Sequence, residues 1–91
     1  MTLVEYNELI EMLNNGHEVE FECHGKYYYL ERGEHEHILY EKSCDDKEIQ
    51  RLCSFVGDTV EDRVDAFLDK KMFNLNTFDM LYSEIQILDV D

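Results

Sequence analysis

The spacing of the apolar residues changes from a helical period to a strand period near residue 17, and this change limits the folds open to the chain. Five apolar residues recur every three or four positions, as they do on one face of a helix: Leu3, Tyr6, Leu9, Ile10 and Leu13. From residue 18 to residue 23, glutamates alternate with apolar residues, as in a strand with one buried face. The pattern predicts a helix over about residues 3–14, followed directly by a sheet.

Residues that commonly bound helices stand at both ends of this first segment. Thr2 and Glu5 have the spacing of a capping box, in which a hydroxyl and a carboxylate accept from backbone N–H groups of the first turn. Gly16 occupies the position where a helix often ends in a left-handed residue. Both observations support the predicted helix.

Three β-prone segments follow one another with short turns between them. They cover residues 18–23, 26–31 and 36–41, and the middle one contains three consecutive tyrosines. His24-Gly25 and the segment 32–34 have the composition of tight turns. Three strands joined in this way predict an antiparallel meander.

Helical spacing returns in the second half of the chain. One segment, ending at Gly57, has apolar residues at helical intervals: Ile49, Leu52, Cys53 and Val56. A further helix is predicted to begin at residues 58–61, with an apolar stripe of Val60, Val64, Phe67 and Leu68. Residues 78–85 fit a short final helix, whereas residues 85–90 fit either a helix or a strand, and the pattern leaves both open.

We therefore predict one domain over residues 1–91 with an α+β fold in two layers. The N-terminal helix precedes a three-stranded antiparallel sheet, and two or three helices follow the sheet. One face of the sheet is expected to pack on the helices and the other to meet water.

The charge of the chain constrains its partners. Twenty-two acidic residues stand against eight basic ones, for a formal net charge of −14. A surface this negative repels nucleic acid and anionic membranes and attracts basic clefts on other proteins. We therefore expect neither direct nucleic-acid binding nor membrane binding, although the three adjacent tyrosines would suit RNA stacking if positive charge accompanied them.

A row of glutamates on the first strand is the leading candidate for a binding surface. Glu18, Glu20 and Glu22 share one strand face at intervals of about 6.6 Å, which resembles the row of phosphates along a nucleic-acid strand. With one tyrosine as an interface anchor, the predicted partner-binding residues are Glu18, Glu20, Glu22, Tyr28, Glu34 and Glu36. The alternative interpretation of these carboxylates is a solvated surface.

Other kinds of site have little support in the sequence. The four histidines and three cysteines include no Cys-x-x-Cys and no His-x-x-x-His pair, so no metal and no cofactor are predicted. The chain has no nucleophile elbow, phosphate-binding loop or HExxH motif, so we predict that it is not an enzyme. An odd number of cysteines, no signal peptide and no long apolar run predict a cytoplasmic protein.

Two resemblances bear on the function. The stretch Glu8 to Leu30, ELIEMLNNGHEVEFECHGKYYYL, resembles small uncharacterised proteins of Gram-positive bacteria and their phages, which share a short helix, a G-x-E-V-E-F strand and a G-K-x-Y start to the next strand. In size, acidity and predicted order of elements, the chain is similar to the small anti-CRISPR inhibitors of Cas9, some of which occupy the DNA-recognition cleft of that enzyme. The second resemblance implies a basic nucleic-acid-binding partner, with Cas9 as the first choice.

From the charge and these resemblances we expect a non-enzymatic inhibitor that mimics nucleic acid and blocks the basic cleft of a nucleic-acid-binding effector. The alternative is a small bacterial interaction module whose acidity serves solubility. An apolar surface patch for self-association or partner binding would distinguish that module.

Overall fold

The computed structural model describes residues 5–43, 45, 47–71 and 76–91. These residues contain two α-helices, five strands and one 3-10 turn in chain order: α1 (Tyr6–Asn14), β1 (Val19–Cys23), β2 (Lys26–Arg32), β3 (Glu36–Lys42), β4 (Ile49–Val56), α2 (Val60–Asp69), the 3-10 turn (Tyr82–Glu84) and β5 (Ile85–Val90). The fold is α+β, as predicted, but the predicted numbers of strands and helices are wrong.

All five strands belong to one antiparallel sheet with the order β4-β3-β2-β1-β5. The first four strands form a meander, and β5 returns to pair with β1 at the opposite edge. Helices α1 and α2 contact each other, and α2 also contacts β3 and β4. No helix in the described part of the chain is long and apolar enough to cross a membrane.

The three-stranded sheet followed by two or three helices is contradicted by β4 and β5. Residues 49–56, which the sequence pattern predicts as a helix, form one edge strand of the sheet. Residues 85–90, for which the pattern allows either a helix or a strand, form the other edge strand. A β-bulge explains the first error: Leu39 pairs with Cys53 but Tyr40 pairs with Arg51, so Leu52 is an extra residue. The extra residue breaks the alternation that marks a strand and produces intervals of three residues that imitate a helix.

The short final helix predicted over residues 78–85 is absent, because residues 78–81 form a turn, Tyr82–Glu84 a 3-10 turn, and Ile85 begins β5. The β1–β3 meander and α2 lie where the sequence places them, whereas α1 begins at Tyr6, with Glu5 as its N-cap, about three residues later than predicted. Thr2 of the predicted capping box lies outside the described residues. His24 and Gly25 both have positive φ, of 52° and 81°, as a two-residue hairpin turn of matching twist requires. The Thr59 hydroxyl caps α2 by accepting from the backbone N–H of Asp62 at 3.1 Å.

A cluster of aromatic rings holds α2 against the sheet. The Phe67 ring of α2 lies 5.6 Å from the Phe55 ring of β4, 6.4 Å from the Phe21 ring of β1 and 4.9 Å from the Phe78 ring, measured between centroids. Around it pack further buried residues, including Leu9, Leu13, Val19, Leu30, Leu39, Val64 and Ile87. The buried face of each helix is thereby fixed, and the opposite face points to solvent.

Arg63 of α2 is buried and connects two loops to the helix. Its side chain is 6% exposed. Nε donates to the carbonyl of Gly57 at 3.2 Å, one terminal nitrogen donates to the carbonyl of Gly33 at 3.2 Å, and the other donates to the carbonyl of Glu34 at 3.5 Å. The guanidinium therefore ties the β2–β3 turn and the β4–α2 loop to the helix.

His37 of β3 is buried beside this arginine. Its side chain is fully buried, and neither ring nitrogen has a hydrogen-bond partner among the described residues. Burial and the guanidinium groups of Arg63 and Arg32 lower the pKa of His37, while the carboxylate of Glu18 acts in the opposite direction. The folded state therefore favours the neutral imidazole.

We expect His37 to make stability fall as the pH is lowered below neutrality. Because its folded-state pKa lies below the unfolded value of about 6.5, its contribution is complete above that pH and is lost as the pH falls through the folded-state pKa. Protonation of the excess carboxylates at lower pH acts on stability in the opposite sense. The contribution of His37 is therefore measured as the difference between the wild type and His37→Leu in urea unfolding. The stability difference between them should change between about pH 7.5 and 5, and a constant difference would contradict this role.

Candidate acidic surfaces

The glutamates predicted on β1 do share a face of the sheet. Glu18, immediately before β1, and Glu20 and Glu22 within it alternate with the buried residues 19, 21 and 23, so they lie on the face opposite the helices. We call this the open face. Glu34 is exposed in the β2–β3 turn, and Glu36 begins β3.

The predicted anchor Tyr28 lies on the other side of the sheet. It is 8% exposed, and its ring stacks on Phe21 with 5.3 Å between centroids. The open face instead carries Tyr29 and Tyr40, whose rings stack at 6.4 Å. The alternation along β2 does not decide which of the three consecutive tyrosines points into the core. In the structure this residue is Tyr28, which packs on Phe21.

Several open-face carboxylates already have partners within the chain. Glu18 accepts from the Tyr29 hydroxyl at 2.6 Å and from the Arg32 backbone N–H at 2.9 Å. Glu20 pairs with the ammonium of Lys42. Glu36 lies 3.4 Å from a guanidinium nitrogen of Arg51. The open face is therefore a surface of mixed charge.

A shallow depression of about 400 Å³ lies among these groups. It is lined by Glu20, Tyr29, Glu31, Tyr40, Lys42 and Ile49. The Lys42 ammonium lies 5.8 Å from the centre of the Tyr29 ring, and burial together with the hydrogen bond to Glu18 raises the pKa of Tyr29. Carboxylates beside aromatic faces attract a cation, and Lys42 already supplies that cation.

The helices carry a second acidic surface, which lies outside the site predicted from the sequence. Seven exposed carboxylates point away from the core along α1 and α2: Glu5, Glu8, Glu11, Glu61, Asp62, Asp65 and Asp69. We call these residues the acidic helix face. Apart from the adjacent Glu61 and Asp62, they are spaced by three or four residues opposite the apolar stripes, a pattern that the sequence itself displays.

The two rows of the acidic helix face belong to neighbouring helices. The helices contact each other. Burial raises the pKa of Tyr6, and the carboxylates of Asp79 and Asp69 and the neighbouring Tyr82 add to this shift. Asp69 at the end of α2 thus lies near Tyr6 at the start of α1, and the contact between the helices brings the two carboxylate rows to neighbouring parts of the surface.

Basic side chains are distributed unequally between the two surfaces. Five of the eight lie within residues 26–51, which belong to the sheet and its turns. Arg63 is buried, and Lys70 and Lys71 follow the last residue of α2. Over residues 5–16 and 58–69 of the described chain, no exposed lysine or arginine interrupts the carboxylates. The two helices therefore contribute no exposed basic side chain to the acidic helix face, while Lys70 and Lys71 follow Asp69 and the Arg32 guanidinium lies close to Gly16.

The described residues provide little for metal or thiol chemistry. They contain no group of three or more His, Cys, Asp and Glu side chains arranged to hold a metal ion. Burial raises the pKa of the Cys23 thiol, with the nearby carboxylates of Glu84 and Glu22 adding to the effect, and burial also raises the pKa of Cys53. Thiols that remain protonated are poor nucleophiles. Cys44 lies outside the described residues.

Comparisons of the chain with protein-family models, curated proteins and solved structures give no match. The charges and contacts of its own residues therefore carry what can be inferred about its function.

Proposed function

We propose that this protein binds the basic, nucleic-acid-binding surface of another protein and blocks it with carboxylates in the place of phosphates. The observation that supports the proposal is the acidic helix face, to which α1 and α2 contribute seven exposed carboxylates and no exposed basic side chain. Mixed charges would keep a small domain soluble with less self-repulsion, so a continuous negative surface favours a basic partner.

The charge spacing of this surface is close to that of a nucleic-acid strand. On α2, four carboxylates lie between Glu61 and Asp69, a length of about 12 Å along the axis, or about 4 Å per charge. Along α1, three carboxylates lie between Glu5 and Glu11, which gives about 4.5 Å per charge. A single DNA strand carries one charge per roughly 3.4 Å. Two adjacent helices therefore present two short rows at nearly the density of phosphates.

The exposure of these carboxylates suits paired contacts with arginine. All seven side chains belong to exposed residues, and a carboxylate can accept two parallel hydrogen bonds from one guanidinium. Such pairs orient the partner and accelerate its association, and added salt weakens them. We therefore expect a complex that forms quickly and dissociates as the ionic strength rises.

The partner remains the nucleic-acid-binding effector expected from charge, with Cas9 as the first target to test. The resemblance to anti-CRISPR inhibitors loses its architectural part, since the sheet has five strands and includes residues 49–56. Size and acidity remain. A second, unrelated nucleic-acid-binding protein should therefore be tested in parallel.

The decisive experiment compares two variants that each lose three negative charges, but from different parts of the surface. Glu61→Gln, Asp65→Asn and Asp69→Asn together remove three charges from the acidic helix face, and Glu34→Gln, Glu48→Gln and Asp89→Asn together remove three from exposed positions elsewhere. We expect the first variant to displace labelled duplex DNA from the effector at least about tenfold less well than the wild type, and the second to stay within about twofold.

A third variant tests the surface predicted from the sequence. Glu18→Gln, Glu20→Gln and Glu22→Gln remove the same amount of charge from the open face. Because Glu18 and Glu20 have partners within the chain, we expect a smaller loss of displacement than from the helix variant. Equal losses in all three variants would mean that only net charge matters. A wild type that displaces no nucleic acid at low salt would refute the proposed function.

A further inference from the structure

The outer edge of β4 is the most apolar exposed part of the described surface. Ile49, Leu52 and Val56 are 61%, 40% and 72% exposed. Together with Met80, they are the large hydrophobic side chains that the described surface exposes. Three of the four therefore lie on a single strand of eight residues.

This strand is also the end of the sheet and is nearly free of negative charge. Only β3 pairs with β4 among the described strands, so its outer edge presents backbone N–H and C=O groups to solvent. From residue 49 to residue 57 the chain has no Asp or Glu, and Arg51 is the one residue that carries a full charge. In a chain of net charge −14, this edge is where a second, equally acidic copy can approach with least repulsion.

The bulge makes the strand complementary to itself. Four residues of β4 pair with β3 residues that alternate with the buried His37 and Leu39: Ile49 and Arg51 before the bulge, and Ser54 and Val56 after it. All four side chains therefore point to the open face. An antiparallel copy can then place Ile49 opposite Val56, and Arg51 opposite Ser54, with every pair on the same face. Without the extra residue, positions an odd number apart would point to opposite faces.

The same register matches the charges that flank the strand. When Ile49 lies opposite Val56 of a second copy, the same register brings Lys47, two residues before β4, towards Asp58, two residues after it, and the two-fold symmetry repeats the pair. Both residues are exposed. The apolar pair and the charged pair are thus both compatible in this register.

We propose that the chain forms a two-fold symmetric dimer in which two β4 strands pair in antiparallel fashion to give one ten-stranded sheet. The symmetry axis is perpendicular to the sheet, because that orientation makes adjacent edge strands antiparallel. Both helix layers then lie on the same side, which doubles the acidic helix face. The dimer itself does not depend on the proposed function.

The oligomeric state of the full chain tests this proposal directly. Sedimentation equilibrium over a range of protein concentrations should show a monomer–dimer equilibrium. Because two copies of charge −14 repel each other, the dimer should tighten as NaCl rises from about 0.05 M to about 0.5 M. Binding to a basic target should weaken over the same range, so the two proposals can fail separately.

Two sets of variants test the interface and its register. Ile49→Lys with Val56→Lys places lysines opposite each other at exposed positions and should give a monomer with an unchanged melting curve. Lys47→Glu alone and Asp58→Lys alone should each weaken the dimer by roughly tenfold, and the two together should restore it.

A monomer under all these conditions would overturn the proposal, as would a dimer that persists in the double-lysine variant. Failure of the Lys47→Glu/Asp58→Lys exchange to restore association would overturn the register. Pairing of β4 with a foreign peptide strand in a chain that never self-associates would also count against the dimer.

Discussion

Replacing Phe67 with alanine is expected to lower the free energy of unfolding by about 3–5 kcal/mol. The ring has neighbours on β1, on β4 and at Phe78, at centroid distances of 4.9 to 6.4 Å, and it is fully buried. Its removal leaves a cavity among rigid aromatic side chains that cannot collapse to fill it. Since domains of this size have a total stability of about 5–15 kcal/mol, the variant should be near the limit of folding.

Urea unfolding followed by circular dichroism measures this loss. Phe67→Leu keeps most of the buried volume and should cost clearly less. Met80→Ala is the matched surface control, because Met80 is 61% exposed and should change stability by no more than about 0.5 kcal/mol. Equal effects at positions 67 and 80 would show that the aromatic cluster does not hold α2 on the sheet.

Replacing Arg63 with methionine is expected to cost about 2–4 kcal/mol. The substitution keeps an apolar stem of similar length but leaves the carbonyls of Gly33, Glu34 and Gly57 without their guanidinium donor. Two loops would then lose their connection to α2. The comparison is Arg51→Met: Arg51 is 55% exposed and pairs with Glu36 at 3.4 Å, so its loss should cost less than about 1 kcal/mol.

The same variant has a second measurable consequence. Arg63 contributes to the lowered pKa of His37, so Arg63→Met should raise that pKa, as measured by NMR titration of the imidazole. The loss of stability on lowering the pH should then become smaller. A His37 pKa that stays the same in a folded Arg63→Met variant would contradict the proximity of the two groups.

Elements with strong local patterns could be predicted from the sequence. The apolar period of α1, the His24-Gly25 turn and the stripe of α2 agree with the structure because each depends on neighbours within a few residues. Strand β4 could not be predicted in this way, since the bulge at Leu52 removed its alternation. Its conformation depends on pairing with β3 and on burying Phe55, which is 5% exposed.

The candidate site, like the fold, could be predicted from the sequence only in part. The sequence showed that Glu18, Glu20 and Glu22 share a face, because alternation along a strand is a local property. It did not show that Lys42, two strands away, pairs with Glu20, or that Tyr29 donates to Glu18. These contacts depend on how β1, β2 and β3 lie beside one another, and they shift the proposed binding surface from the sheet to the helices.

The sequence by itself determined the sign and size of the charge, the first helix, the meander and α2, because composition and short-range periodicity survive in any arrangement of the chain. Only the tertiary structure decided which carboxylates are neutralised by distant cations, which tyrosine enters the core, and where an unpaired apolar edge remains. Those outcomes depend on contacts between residues far apart in the chain, for which a single sequence carries no local pattern.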